Sequence, residues 1–322
     1  MHKVISFALI VGCLAVAGGA VATGFPDRPL QLVIPFPPGG LTDVQARPIA
    51  PAFEKLLRQP VVIENRGGAA GAIGTQYVAH AKPDGYTMLF TSPAVVILPE
   101  VDKVFGRKPG FTLDDFIPIG RISADAPVMV VPSGSSWKSV ADVVAAARQS
   151  PGTIPYGSAG VFGPTHLPME LFAHAADIKL RHVGYQGGGP AMTALLGGHV
   201  QLLAAGVNVA QPHIKNGGIR PLAVWSAKRH PALPNVPTLT ELGYRAEIYL
   251  WVGMFAPKAT PPDVVDVWRT ATRKAISDTA FKEAMGNLGT PIDYLDRDEF
   301  AKFLAADQEQ TASIVRLIGR VK

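Results

Sequence analysis

A chain of 322 residues that is 48% hydrophobic and 17% charged has the apolar content to build two separately cored α/β domains, and its composition is neither disordered nor fibrous. Its net charge of +5 is scattered rather than gathered into Lys/Arg runs, which argues against a nucleic-acid partner. Cys13 is the only cysteine, so the rest of the chain has no disulfide framework, thiolate metal site or cysteine nucleophile.

Residues 1–22 read as a signal peptide. His2 and Lys3 form a short basic start, an apolar run follows from 4 to 16, and Ala20-Val21-Ala22 is a small-residue cleavage site. The mature chain is expected to begin near Thr23, in the periplasm. The alternative is lipid attachment at Cys13 after Ile10-Val11-Gly12, which would leave a very short leader and an unpartnered apolar tail. A retained anchor is disfavoured because the run falls short of the ~20 apolar residues that span a bilayer.

Beyond the leader, short apolar runs alternate with stretches of helical period, the pattern of strands covered on both faces by helices. Strands are expected at 30–36, 61–65 and 86–91, with helices at 43–57 and 71–81 between them. Pro48 and Pro51 lie inside the first helical pattern, so that helix is expected to start late, kink or break. Two strand-like runs follow one another within 116–131, and a second series begins: helix 139–149, strand 154–157, helix 165–175, and strands at 179–183, 201–205 and 219–225. Helical segments are expected near Ala191 and Val209. A strand at 249–256 precedes amphipathic helices at 262–277, 280–286 and 297–318. The fold class is therefore α/β with two lobes, each a mostly parallel sheet flanked by helices. Residues 23–124 and 248–322 form the first lobe and 125–247 the second.

Two glycine-rich turns stand between a strand and a helix. Pro35-Phe36-Pro37-Pro38-Gly39-Gly40-Leu41-Thr42-Asp43 is the first, and Gly157-Ser158-Ala159-Gly160-Val161-Phe162-Gly163-Pro164-Thr165-His166 the second. Ligands of open α/β sheets bind outside the carboxyl ends of the strands, where helix N-termini offer free N–H donors, so each turn is a candidate carboxylate cradle. Thr42 either caps the helix or touches ligand, and Asp43, which would repel an anion, is assigned to shaping the loop. Ser158 can face the first cradle across a cleft, while His166 reads as a packing or hydrogen-bonding residue. Gln186-Gly187-Gly188-Gly189-Pro190 and Ala205-Gly206-Val207-Asn208 repeat the arrangement. There is no Walker lysine motif, G-x-G-x-x-G, H-E-x-x-H or G-x-S-x-G, and neither histidines nor carboxylates cluster at catalytic or metal-ligand spacing. No catalytic residue, metal or cofactor is expected.

At these turns the chain resembles the periplasmic substrate-binding proteins of tripartite tricarboxylate transporters, the Bug family. The likeness runs through Phe25-Pro26-Asp27-Arg28-Pro29, the 35–43 turn, Glu64-Asn65-Arg66-Gly67-Gly68, Pro83-Asp84-Gly85-Tyr86-Thr87, Tyr156-Gly157-Ser158, His166-Leu167 and Leu233-Pro234-Asn235-Val236-Pro237-Thr238, in order over the whole mature chain. The resemblance implies a hinged, two-lobed periplasmic-binding-protein fold of the second type, with the ligand in the interlobe cleft, its carboxylate held largely by loop backbone groups and bound water. Carried over, it places ligand contacts at Pro38, Gly39, Gly40, Thr42, Ser92 and Ala94 in the first lobe. In the second they fall at Ser158, Ala159, Gly160, Phe162, Gly163, His166 and Asn208.

Three departures bear on specificity. Ala204-Ala205-Gly206 stands where relatives often have an aspartate, Phe162-Gly163 where they often have glycine and a hydroxyl residue, and Pro93 where a polar residue is common. An apolar or aromatic carboxylate, or a longer dicarboxylate, is the expected ligand. The expected role is that of a monomeric receptor passing its ligand to the membrane permease subunits of a tripartite transporter. The alternatives are a ligand sensor for a signalling partner and, less expected, an exported hydrolase or lyase.

Overall fold

The computed structural model describes residues 24–320, so the leader and its cleavage site lie outside the described residues. In chain order the elements are β1 (Leu30–Ile34), α1 (Asp43–Leu57), β2 (Val61–Asn65), α2 (Ala72–Ala79), β3 (Thr87–Thr91), α3 (Ala94–Val104), β4 (Phe116–Asp125) and β5 (Pro127–Pro132). Then follow α4 (Val140–Gln149), β6 (Pro155–Ser158), α5 (His166–Ala175), β7 (Arg181–Gly184), α6 (Gly188–Leu196), β8 (Leu202–Gly206), α7 (Val207–Lys215) and β9 (Ile219–Val224). β10 (Leu250–Pro257), α8 (Pro262–Ala275), α9 (Thr279–Asn287), β11 (Leu295–Asp296) and α10 (Arg297–Ile318) complete the chain.

The strands form two mixed sheets, β11-β4-β10-β3-β1-β2 and β7-β6-β8-β5-β9. In the first, β2, β1 and β3 run parallel while β10 runs against both β3 and β4. The second repeats the plan: β7, β6 and β8 are parallel and β5 runs against β8 and β9. The parallel strands send their carboxyl ends, and the glycine-rich turns that follow them, toward one edge of each lobe.

Period-two side-chain alternation builds a core on each face of each sheet. Leu32 and Ile34 of β1 pack with Phe53 and Trp268 under α1 and α8, while Val33 between them faces Phe255 and Phe300 under α10. In the second lobe Met129 and Val131 join Tyr156, Phe172 and Trp225, and Val128 and Val130 join Leu195 and Leu203. α1 runs from Asp43 through Pro48 and Pro51 to Leu57, so the expected late start or break does not occur. Each proline forfeits one backbone donor, and the buried Ile49, Ala50 and Phe53 hold the helix against the sheet. α3 lies outside the expected elements: its β-branched run Val95-Val96-Ile97 and internal Pro99 disguise helical period, yet tertiary packing makes it a helix.

Candidate ligand-binding cleft

The first corner leaves β1 at Ile34 and enters α1 at Asp43. Gly39 takes φ +79, a left-handed conformation that glycine adopts without cost, and the turn folds back on Asp43. The buried Asp43 carboxylate is fully engaged: Oδ2 accepts from the Gly39 N–H (2.9 Å) and Arg47 Nε (2.8 Å), Oδ1 from Arg47 Nη2 (2.9 Å) and Asn65 Nδ2 (3.0 Å). Burial alone would raise its pKa, but the bonds from Arg47, Gly39 and Asn65 outweigh burial and hold it below the usual carboxylate range. Asn65 also donates to the Phe36 carbonyl (2.9 Å), tying the corner to β2. Asp43 thus shapes the loop, and the Gly40, Leu41 and Thr42 amides have no partner among the described residues.

The second corner leaves β6 at Ser158 and enters α5 at His166. Its amides are capped from within: Ala159 N–H donates to Thr165 Oγ1 (2.8 Å), Gly160 N–H to Ser158 Oγ (3.2 Å) and Phe162 N–H to His166 Nδ1 (3.1 Å). Free donors of the kind expected from the glycine pattern are therefore few here, because neighbouring side chains satisfy them. Gly160 sits at φ +112 and Phe162 at φ 54. A Cβ on Gly163 would lie 2.9 Å from the carbonyls of Ala159 and Gly160, so only glycine fits. Beneath the corner, Tyr156 donates to Glu170, the His166 and His182 rings lie 4.2 Å apart, and His182 Nε2 is 2.6 Å from Ser158 Oγ. Burial, and for His166 the neighbouring His182 as well, depress both imidazoles, to about 3 for His166 and about 4 for His182, so both are neutral at pH 7.

The lobes are closed on one another. Asn208 Nδ2 donates to the Leu41 carbonyl across the cleft (3.0 Å), and a Cβ on Gly189 would lie 2.7 Å from the Pro38 carbonyl. A Cβ on Gly160 would lie 3.0 Å from that of Ala70. Between the corners is a small, partly open cavity of about 20 Å³ lined by Phe36, Gly40, Leu41, Thr42, Ser92, Ala159, Pro164, Thr165 and Gly188. Its surface is mainly apolar, yet the Thr42 and Ser92 hydroxyls, each 1% exposed, have no hydrogen-bond partner among the described residues. Gly188 adds the N-terminus of α6, whose first amides point donors and the positive dipole end at the same space. A wider groove of about 870 Å³ opens beside this cavity between Phe105, Phe111, Phe162 and Tyr185.

Of the residues singled out in the sequence, Gly40, Thr42, Ser92 and Ala159 line the small cavity. Pro38 and Gly39 are exposed at the tip of the first corner, Ala94 is buried at the start of α3, and Ser158, Gly163 and His166 lie within the second corner. Gly160 and Phe162 face the wider groove, and Asn208 bridges the lobes. Phe36, Leu41, Pro164, Thr165, Gly188 and His182 join the site without having been expected as contacts. The triple glycine at 187–189 signals the α6 corner, whereas nothing local marks His182, which reaches Ser158 only through the pairing of β6 with β7. Among the described residues no group of three His, Cys, Asp or Glu side chains is arranged to hold a metal.

The model of the tripartite tricarboxylate transporter family receptor matches residues 45–320. This chain belongs to that receptor family. BugT of Bordetella pertussis is 32% identical to the receptor over 316 residues, covering 97% of this chain and 95% of the other. A Pseudomonas sp. protein described by its place in the tcbD-tcbE intergenic region is 38% identical over 270 residues, 82% of this chain and 79% of its own. Among solved structures, the periplasmic binding protein BugD superposes with a TM-score of 0.87 at 31% identity, covering 92% of this chain and 99% of BugD. An R. palustris protein with adipate gives 0.85 at 30% identity, covering 92% and 98%.

The receptor is thus a solute-binding protein of an extracytoplasmic family, and none of its described helices is long and apolar enough to cross a membrane. Ala204 and Ala205 are buried at the end of β8, Pro93 precedes α3 beside Ser92, and the Phe162 ring packs on Phe105 of the opposite lobe at 5.5 Å.

Proposed function

We propose that the receptor captures a small organic carboxylate, preferentially an apolar or aromatic acid or a dicarboxylate, between its lobes and hands it to the membrane permease subunits of a tripartite transporter. The observation that carries this reading is the pair of buried, unpartnered hydroxyls on Thr42 and Ser92 in an otherwise apolar cavity under the α6 N-terminus. Leaving such groups unpaired costs about 1–3 kcal/mol each, a cost that a carboxylate accepting from both would remove. The cavity as closed has room for only about one water, so a carboxylate enters as the lobes part, and Phe36, Leu41 and Pro164 then wall its carbon skeleton. The adipate held by the R. palustris relative is a ligand of this chemical class. Delivery to the permease requires export, which we assign to the leader at 1–22, with Cys13 lipidation as the lesser route.

Calorimetric titration with succinate, adipate, benzoate, citrate, aspartate and glutamate tests the preference. Binding of adipate or benzoate is expected, and a panel in which only citrate or the amino acids bind would refute it. The Ser158–His182 contact has the separation of a nucleophile–base pair, which gives the hydrolase reading its one foothold. Ser158 is fully buried, however, and its hydroxyl is turned to Gly160 rather than to the cavity. Recovery of each bound acid unchanged after long incubation is the expected result.

A further inference from the structure

We propose that His182 is a positioning residue for ligand capture, holding the Gly160 corner of the second lobe in its closing conformation through the Ser158 hydroxyl. The proposal rests on the receptor reading above but concerns a residue outside the cavity. Gly160 carries both of its backbone polar groups onto one atom: its N–H donates to Ser158 Oγ at 3.2 Å and its carbonyl accepts from the same hydroxyl at 3.0 Å. A lone hydroxyl has one proton, and Ser158 also sits 2.6 Å from His182 Nε2. If Nε2 carries hydrogen, it donates to Ser158 and leaves the serine proton for the Gly160 carbonyl. If Nε2 is bare, it draws that proton away and the carbonyl loses its second donor. His182 therefore holds the Ser158 hydroxyl in the rotamer that serves both Gly160 groups, and without the imidazole that hydroxyl is free to turn away.

That glycine is where the corner meets the other lobe, against Ala70, at a backbone φ of +112, one of many conformations open to glycine, so its hydrogen bonds are what select it. The groups facing the His182 ring are Tyr156 from β6 and His166 from α5, with Glu170 behind them, and exposed Arg181 flanks it on its own strand. Burial keeps the imidazole neutral at pH 7, the condition in which either tautomer is open to it. Glutamine reproduces an N–H donor at the position of Nε2, whereas leucine fills the volume and supplies none.

The test uses the full mature chain and two readouts on His182→Leu, His182→Gln and Ser158→Ala. In the ligand-free protein, exchange of the Gly160 amide hydrogen should be at least tenfold faster in His182→Leu and Ser158→Ala, and within about threefold of the parent in His182→Gln. In calorimetry with adipate, succinate and benzoate as probes, the first two variants should bind about tenfold more weakly and the double variant no more weakly than either single one, while His182→Gln stays near the parent. Unchanged exchange at Gly160 in His182→Leu overturns the proposal whatever the probes do. Altered exchange with unaltered affinity, or losses that multiply in the double variant, overturns the link to capture. If no probe binds the parent, the carboxylate reading fails and the capture role with it, an outcome separated from the others by the exchange data. A fall in unfolding temperature shared by His182→Gln would show a packing role only and also count against the proposal.

Discussion

Replacing Ser92 by Ala deletes a buried hydroxyl that bonds to no other described residue, so the fold loses no side-chain interaction. Stability should rise by about 1–3 kcal/mol, the cost of the unpaired hydroxyl, while affinity for the bound carboxylate falls by about tenfold or more, since a hydrogen bond to a charged group is worth about 1.5–3 kcal/mol. Thermal unfolding and calorimetry on the same sample check both; a stability loss with affinity intact would show that the hydroxyl serves the fold. Gly160→Val is expected to do more harm to binding than Asp43→Asn. The valine must adopt φ +112 with its Cβ 3.0 Å from Ala70, whereas the asparagine can keep the acceptor for Gly39 and loses chiefly the charge pairing with Arg47. The loop role of Asp43 is legible in the sequence, because an acid beside an anion cradle repels the ligand. The capping of the second corner is not, because Thr165, Ser158 and His166 reach their amides only in the folded turn. Under the proposed function, those bonds leave recognition to Thr42, Ser92 and the α6 N-terminus.

At the scale of the element, strands and most helices are readable because apolar periodicity and glycine punctuation agree along this chain. α3 and the two-residue β11 are the exceptions, since the α3 pattern is resolved only by packing against α10 and β11 is too short to show a period. That last helix also carries a pH-sensitive contact. Trp251 Nε1 of β10 donates to Asp307 Oδ2 at 3.1 Å, and burial raises the Asp307 pKa from 3.8 to about 6 despite the opposing pull of that bond and of Arg121. The folded protein therefore binds the proton more tightly than the unfolded chain. The neutral form's advantage is full below about pH 4 and is lost as pH rises through 6. Asp307→Asn keeps an acceptor for Trp251 and removes the buried charge, so it should stabilise the protein by up to about 2 kcal/mol at pH 7 and by much less near pH 4.5. The comparison is the unfolding temperature of variant and parent at the two pH values, and a difference that does not change with pH would refute it.

At the scale of the whole molecule, two chain crossings join the lobes: β4 passes into β5 at 125–127, and the segment after β9 returns to β10 with Ile248 N–H donating to the Trp225 carbonyl at 3.0 Å. Such thin connections leave closure to be decided by what the lobes bury between them. Phe162 is the largest such contribution at the second corner, 7% exposed and packed with Ile97 and Val101 of α3 and Val315 of α10, all from the first lobe. Its position next to a glycine hints at pocket polarity in the sequence, but its reach into a cluster built from two first-lobe helices is a product of closure alone. Exposing a phenylalanine ring of this kind costs about 2–3 kcal/mol, so the closed form of the ligand-free receptor gains a factor of about ten or more from this side chain. Phe162→Ala should therefore enlarge the ligand-free radius of gyration measured by small-angle scattering. It should also weaken carboxylate binding in proportion to the closed fraction lost. The unfolding temperature should change little, because each lobe keeps its own two-faced core. An unaltered scattering curve combined with a sharp fall in unfolding temperature would mean that Phe162 belongs to the architecture of one lobe and that closure is governed elsewhere.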